Sequence, residues 1–123
     1  MPLVFLLLVL CVLTVVIGLI AIQALTFRSI RRRDNSTFWS RGATVNVVLG
    51  AVTGLTSGVA VRWRPEANVE YVGFPIPGMT LLYEDGRWVD YVGPTVLICP
   101  LLNALLVATV FLLPFSLALL VRR

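Results

Sequence analysis

The side chains with the means to do chemistry are few. The 123-residue chain has six acidic residues, two cysteines and no histidine. Five of the acids, Glu66, Glu70, Glu84, Asp85 and Asp90, fall in one polar stretch, and clustered carboxylates are the ligands that Ca²⁺ or Mg²⁺ would use. Their spacing matches no metal-binding loop, so solvated charges on a hairpin are the simpler reading. Catalysis needs a convergent base, nucleophile or set of ligands. Cys11 and Cys99 lie in or beside apolar runs with no activating neighbour, and read as small hydrophobes; a disulfide between them requires both near the outer face. No phosphate-binding glycine loop is present either. The expected catalytic, metal and cofactor sets are therefore empty, and the chain is not expected to be an enzyme.

What positions these groups is a membrane. Hydrophobic residues make up 59% of the chain and mean hydropathy is +0.95, far above a soluble domain of this size. Uncharged windows at 2–27, 42–61 and 91–121 each reach the roughly 20 residues that cross about 30 Å of hydrocarbon. No acid or base lies within the expected spans, which disfavours proton relays and coupled transport. The first window lacks a basic n-region and is too long for a signal peptide, so it reads as a retained helix. Its Thr14, Gly18 and Ala21 form a small-residue face expected to meet the second helix.

The second window carries Gly42, Asn46, Gly50, Gly54 and Gly58 at intervals of four. Residues four apart lie on one ridge of a helix, and glycines there open a groove into which another backbone can sink. Lipid tails are as apolar as leucine, so helices in a bilayer associate through such close contact and through polar side chains. Thr53 and Ser57 form a second row whose hydroxyls can return to carbonyls of their own helix. In the third window Asn103, Ala104 and Ala108 make a polar and small-residue face that suits the glycine groove. Pro94 and Pro100 suit the entry of that helix, while Pro114 lies inside it and is expected to kink it. Being the most polar of the three, helix two is expected at the centre of the bundle.

All ten basic residues are arginine. The 28–41 connection holds five of them against one acid, with Arg28, Arg31, Arg32 and Arg33 clustered, and marks the cytoplasmic side by the positive-inside rule. The N-terminus is then outside and the C-terminus cytoplasmic, in what the composition suggests is a bacterial inner membrane. Anionic lipid and orientation account for the net charge of +4 without nucleic acid as a partner. Phe38 and Trp39 read as an inner-interface anchor, and the Asn35-Ser36-Thr37 acceptor pattern is of no use on a cytoplasmic loop.

The 62–93 stretch is the outer loop. Asp85-Gly86 between two extended runs predicts a type I′ β-hairpin pairing Glu84 with Arg87 and Tyr83 with Trp88, an ion pair on one face and an aromatic pair on the other. An isolated hairpin is marginal, so a third strand is expected, with 69–72 the candidate. Trp63, Tyr71, Phe74, Tyr83, Trp88 and Tyr91 suit either an interfacial belt or a docking surface. Between the extended runs, Gly73-Phe74-Pro75-Ile76-Pro77-Gly78 reads as a rigid connector near polyproline II.

Together with Asp90-Tyr91-Val92-Gly93-Pro94 and a last helix bearing Asn103, this connector resembles small uncharacterised bacterial membrane proteins with a Gly-Phe-Pro-Leu-Pro-like outer loop. The resemblance covers about the last half of the chain and implies no assigned activity. The expected fold class is all-α integral membrane: helices at about 2–27, 42–61 and 97–121 in one membrane domain, with a small extracytoplasmic hairpin. The expected function is that of a structural or accessory subunit in the lipid bilayer, packing against other membrane protein subunits or its own copies through the glycine helix and the aromatic loop. A homo-oligomeric pore, walled by helix two, is the alternative.

Overall fold

A computed structural model describes residues 2–33, 37–91 and 95–121. Within them the chain runs α1 (Pro2–Arg33), α2 (Thr37–Ala60), β1 (Arg62–Glu66), β2 (Val69–Val72), β3 (Met79–Glu84), β4 (Arg87–Tyr91) and α3 (Thr95–Val121). The three helices are long and apolar enough to cross a membrane, and the strands form one antiparallel sheet in the order β1-β2-β3-β4.

The helices overrun the boundaries expected of them. Arg28, Arg31, Arg32 and Arg33 sit in the last two turns of α1 rather than in a loop, and α2 opens at Thr37 rather than Gly42. An apolar window marks where a helix must be shielded from water, not where its backbone hydrogen bonds end, and arginine is a good helix former. α3 starts at Thr95, so Pro100 lies inside the helix rather than at its first turn; the helix runs continuously through Pro114 as well.

The centre of the bundle is α3 and not α2. α2 packs along one side of α3 and α1 along another, while α1 and α2 meet only sparsely. The expected docking face of α1 is unused: Thr14 and Ala21 are exposed, the Thr14 hydroxyl returns to the Leu10 carbonyl at 2.8 Å, and nothing would meet a Cβ at Gly18 within 4 Å. Polar side chains one to two turns later hold α1 instead. Gln23 Nε2 donates to Thr109 Oγ1 at 2.8 Å, and the hydroxyls of Thr26 and Ser116 lie 2.8 Å apart. Such interhelical bonds between polar side chains are one of the forces that join helices in an apolar medium. Ile30, Ala43 and Leu112, one from each helix, form a fully buried cluster. Trp39 packs edge-to-face on Phe115 at 5.8 Å, so it is a bundle residue, whereas its neighbour Phe38 is 81% exposed.

In the sheet, Glu84 pairs with Arg87 and Tyr83 with Trp88, around a turn with positive φ at Asp85 (50°) and Gly86 (81°). β2 adds the third strand. The fourth, β1, pairs Trp63 with Tyr71 as an edge strand, its register broken between Trp63 and Glu66, where Pro65 has no N–H to give. No ion pair joins Glu84 to Arg87 among the described residues; both are exposed at the tip, where solvent competes for them.

Candidate functional site

Where the sheet meets the helices, the described residues make a set of polar contacts, and glycines make the room. Along α2, a Cβ at Gly50 would lie 2.7 Å from the Ala108 Cα, one at Gly54 would lie 2.7 Å from the Ala104 Cα, and one at Gly58 would lie 2.9 Å from the Pro100 Cα. The ridge is thus filled by the chain's own α3, backbone against backbone. Gly42 is looser, with the Phe115 ring 3.4 Å from a notional Cβ, and Asn46 is half-buried on the same ridge.

This close approach brings Asn103, fully buried, to the end of the bundle that carries the sheet. Its amide is aimed at the 73–78 connector: Nδ2 donates to the Ile76 carbonyl at 2.9 Å, and Oδ1 accepts from the Ile76 N–H at 2.9 Å. One side chain therefore satisfies both polar groups of a backbone residue, as a β-ladder partner would. Around it, Phe74 N–H donates to the Ser57 carbonyl at 3.1 Å, and the Ser57 hydroxyl lies 2.8 Å from the Phe74 carbonyl. That hydroxyl is also 3.2 Å from the Gly54 carbonyl, so Ser57 reaches outside its own helix, contrary to the expectation for its row. Thr95 Oγ1 donates to the Gly78 carbonyl at 3.0 Å, and Trp63 Nε1 to the Gly73 carbonyl at 3.3 Å. The connector is accordingly not an extended spacer. It is a bent loop, with a cis Phe74–Pro75 peptide, folded down onto the helix ends. Gly73 takes φ +110° with the Gly58 carbonyl 2.8 Å from where a Cβ would stand, so no other residue fits there.

The aromatic residues do not gather into one patch. Trp63 and Tyr71 pair at 4.9 Å between centroids on one face of the sheet; Tyr83 and Trp88 pair at 5.3 Å on the other. Phe74, 56% exposed, lies in the connector. Tyr91 stands opposite Thr80 in the register, and its side chain lies outside the described residues.

On the Tyr83–Trp88 face a feature appears that no motif announced. Glu70, 4% exposed, receives Arg64 Nε on Oε2 at 2.6 Å and Arg62 Nη1 on Oε1 at 3.4 Å. The Arg64 guanidinium lies 4.9 Å from the Trp88 ring centroid. β1 and β4 are the two edges of the sheet, about 14 Å apart if it were flat, so both side chains lean inward and cover Glu70 and Leu81. Arg62, Arg64, Glu70, Met79, Leu81 and Trp88 enclose a shallow basin of about 430 Å³. Pro65, which has no N–H to give to a ladder, hid β1 as a strand.

The acidic residues are dispersed. Glu66, Glu84 and Asp85 are exposed, Glu70 is held by arginines, and among the described residues no three acidic or sulfur side chains are placed to hold a metal. Cys11 is exposed on α1, Cys99 is buried on α3, and both are free thiols. Arg28, Arg31 and Arg32 are exposed along the end of α1.

Three helices long and apolar enough to cross a membrane, with a small antiparallel sheet latched onto their ends, have the architecture of an integral membrane protein with a folded cap. Comparison with protein-family models, curated proteins and solved structures finds no match.

Proposed function

We propose that this protein is an accessory subunit of a larger membrane complex, seated in a bacterial cytoplasmic membrane with its N-terminus and sheet outside, and that it docks a partner membrane protein on the sheet. The observation that carries this reading is the Asn103–Ile76 latch. A loop bonded at both its N–H and its C=O to a fully buried side chain does not swing on the bundle, so the sheet is offered in one orientation. A preorganised surface loses less entropy on binding. The partner face is the one bearing Trp63 and Tyr71 together with Phe74, since aromatic anchors dominate interface energetics. Because α3 already occupies the glycine ridge, the sheet carries the docking role that the sequence divided between ridge and loop. The positive-inside rule, applied to the arginines ending α1, supplies the orientation.

A photo-crosslinking side chain placed at Tyr71 tests the reading in cells. A discrete heterologous adduct from Tyr71, absent from lipid-facing Val48, is the expected result. Purification as a lone monomer, with no adduct from any position on the sheet, would sink it.

A further inference from the structure

The basin beside Glu70 has more donors than its own residues use. Each guanidinium carries five N–H groups. Among the described residues Arg62 gives one nitrogen to Glu70 and Arg64 gives another, and their side chains are still 67% and 59% exposed. Two cations thus share one buried carboxylate, over a floor of Met79 and Leu81 and against the Trp88 indole.

Its place in the fold specifies the occupant. Arg62 follows the last residue of α2, Ala60, by two positions, and Met79 directly follows the connector that is bonded to the helix ends. The basin therefore opens at the level where the apolar spans stop. Arg62 stands in the row of Val72 and Met79, the row nearest the helices; Asp90 stands in the row of Leu81 and Glu70, further out with Arg64, while Glu66, Glu84, Asp85 and Arg87 lie at the far ends of the strands. An anion approaching from the helix side meets Arg62 first. Arginine binds phosphate through paired N–H donors, and an apolar floor beside the pair accommodates the glycerol and first methylenes of a lipid.

We propose that the Arg62–Arg64 basin binds the phosphate headgroup of a phospholipid from the leaflet on the sheet side. The proposal rests on the helices spanning a membrane and is independent of any protein partner. Bound lipid would then pin the sheet to the bilayer surface at a second point, apart from the latch at Asn103.

Native mass spectrometry of the full chain, delipidated in detergent and titrated with phosphatidylglycerol, tests this. Wild type should retain one lipid, and R62Q/R64Q should weaken retention about tenfold or more. Because that pair of substitutions strands Glu70, R62Q/R64Q/E70Q removes the acid too, with circular dichroism as the check on folding. Millimolar inorganic phosphate should not displace the lipid. Equal lipid retention by wild type and the folded triple variant would overturn the proposal, and so would displacement by phosphate, which would mean that the basin reads a free anion.

Discussion

Asn103 and Ile76, 27 positions apart, are joined by two hydrogen bonds of 2.9 Å each, the side-chain amide of one against both backbone polar groups of the other. A helix inside the apolar bundle thereby holds a loop of the sheet as if it were its neighbouring strand. Each link follows from the one before. Glycines at 54 and 58 let α3 approach α2, the approach buries Asn103, and a buried amide requires partners that only the bent connector supplies.

Asn103→Leu should therefore cost more than the loss of a side chain. It leaves the Ile76 N–H and C=O half-buried without partners, for a loss of about 2–4 kcal/mol from two abandoned bonds. Reversible unfolding in mixed micelles measures the total. Hydrogen exchange should localise it, with the Ile76 amide becoming fast in the variant while amides in the middle of α3 stay protected.

The ridge and the unused face of α1 should answer differently to the same substitution. Gly54→Ala places a methyl 2.7 Å from the Ala104 Cα and forces the helices apart, costing about 1–3 kcal/mol as overpacking does. At Gly18 nothing would lie within 4 Å of the new methyl, so Gly18→Ala should be neutral or stabilising by up to about 1 kcal/mol through helix propensity. Unfolding of the two variants side by side gives the contrast; equal effects would contradict the packing described for α2 and α3.

α1 should be held by its hydrogen bonds. Gln23→Leu removes the 2.8 Å bond to Thr109 and should cost about 0.6 kcal/mol, the average for interhelical bonds in bilayers, and no more than about 1.7 kcal/mol. A double-mutant cycle between Thr26→Val and Ser116→Ala should show coupling of the same size, whereas Thr14→Val, whose hydroxyl serves its own helix, should show none with either.

Within the sheet, Arg64 should matter more than Arg62. Its bond to Glu70 is 2.6 Å against 3.4 Å, and it also covers Trp88. Both guanidiniums are more than half exposed, so solvent screens them and the cost of Arg64→Ala should stay near about 1–2 kcal/mol. Trp88 fluorescence should shift in Arg64→Ala and stay as in wild type in Arg62→Ala.

Gly86→Ala tests the turn. Gly86 holds φ +81° with open space around it, so the cost is conformational alone, about 1 kcal/mol. It should appear as faster exchange in β3 and β4 without any change in the bundle.

The parts legible from residue order alone are those governed by short-range physics. Three runs of apolar residues announce three helices because a span must be shielded along its whole length. Asp85-Gly86 announces a hairpin with its register, Tyr83 on Trp88, because a two-residue turn leaves the strands no other pairing. The glycine spacing announces that some helix packs closely on α2.

Which helix fills that groove, what Asn103 bonds, and that β1 exists at all were decided by the tertiary structure. Gly50, Gly54 and Gly58 could receive any small-faced helix, and both α1 and α3 carry such a face. The choice fell to Gln23 and Thr26, which draw α1 to another side of α3. Arg62-Trp63-Arg64-Pro65 has no strand signature of its own and pairs only because β2 presents an edge and Glu70 a buried charge. Spacing along the chain records what a segment can pack against; where several partners qualify, the polar groups that cannot be left bare in an apolar interior select among them.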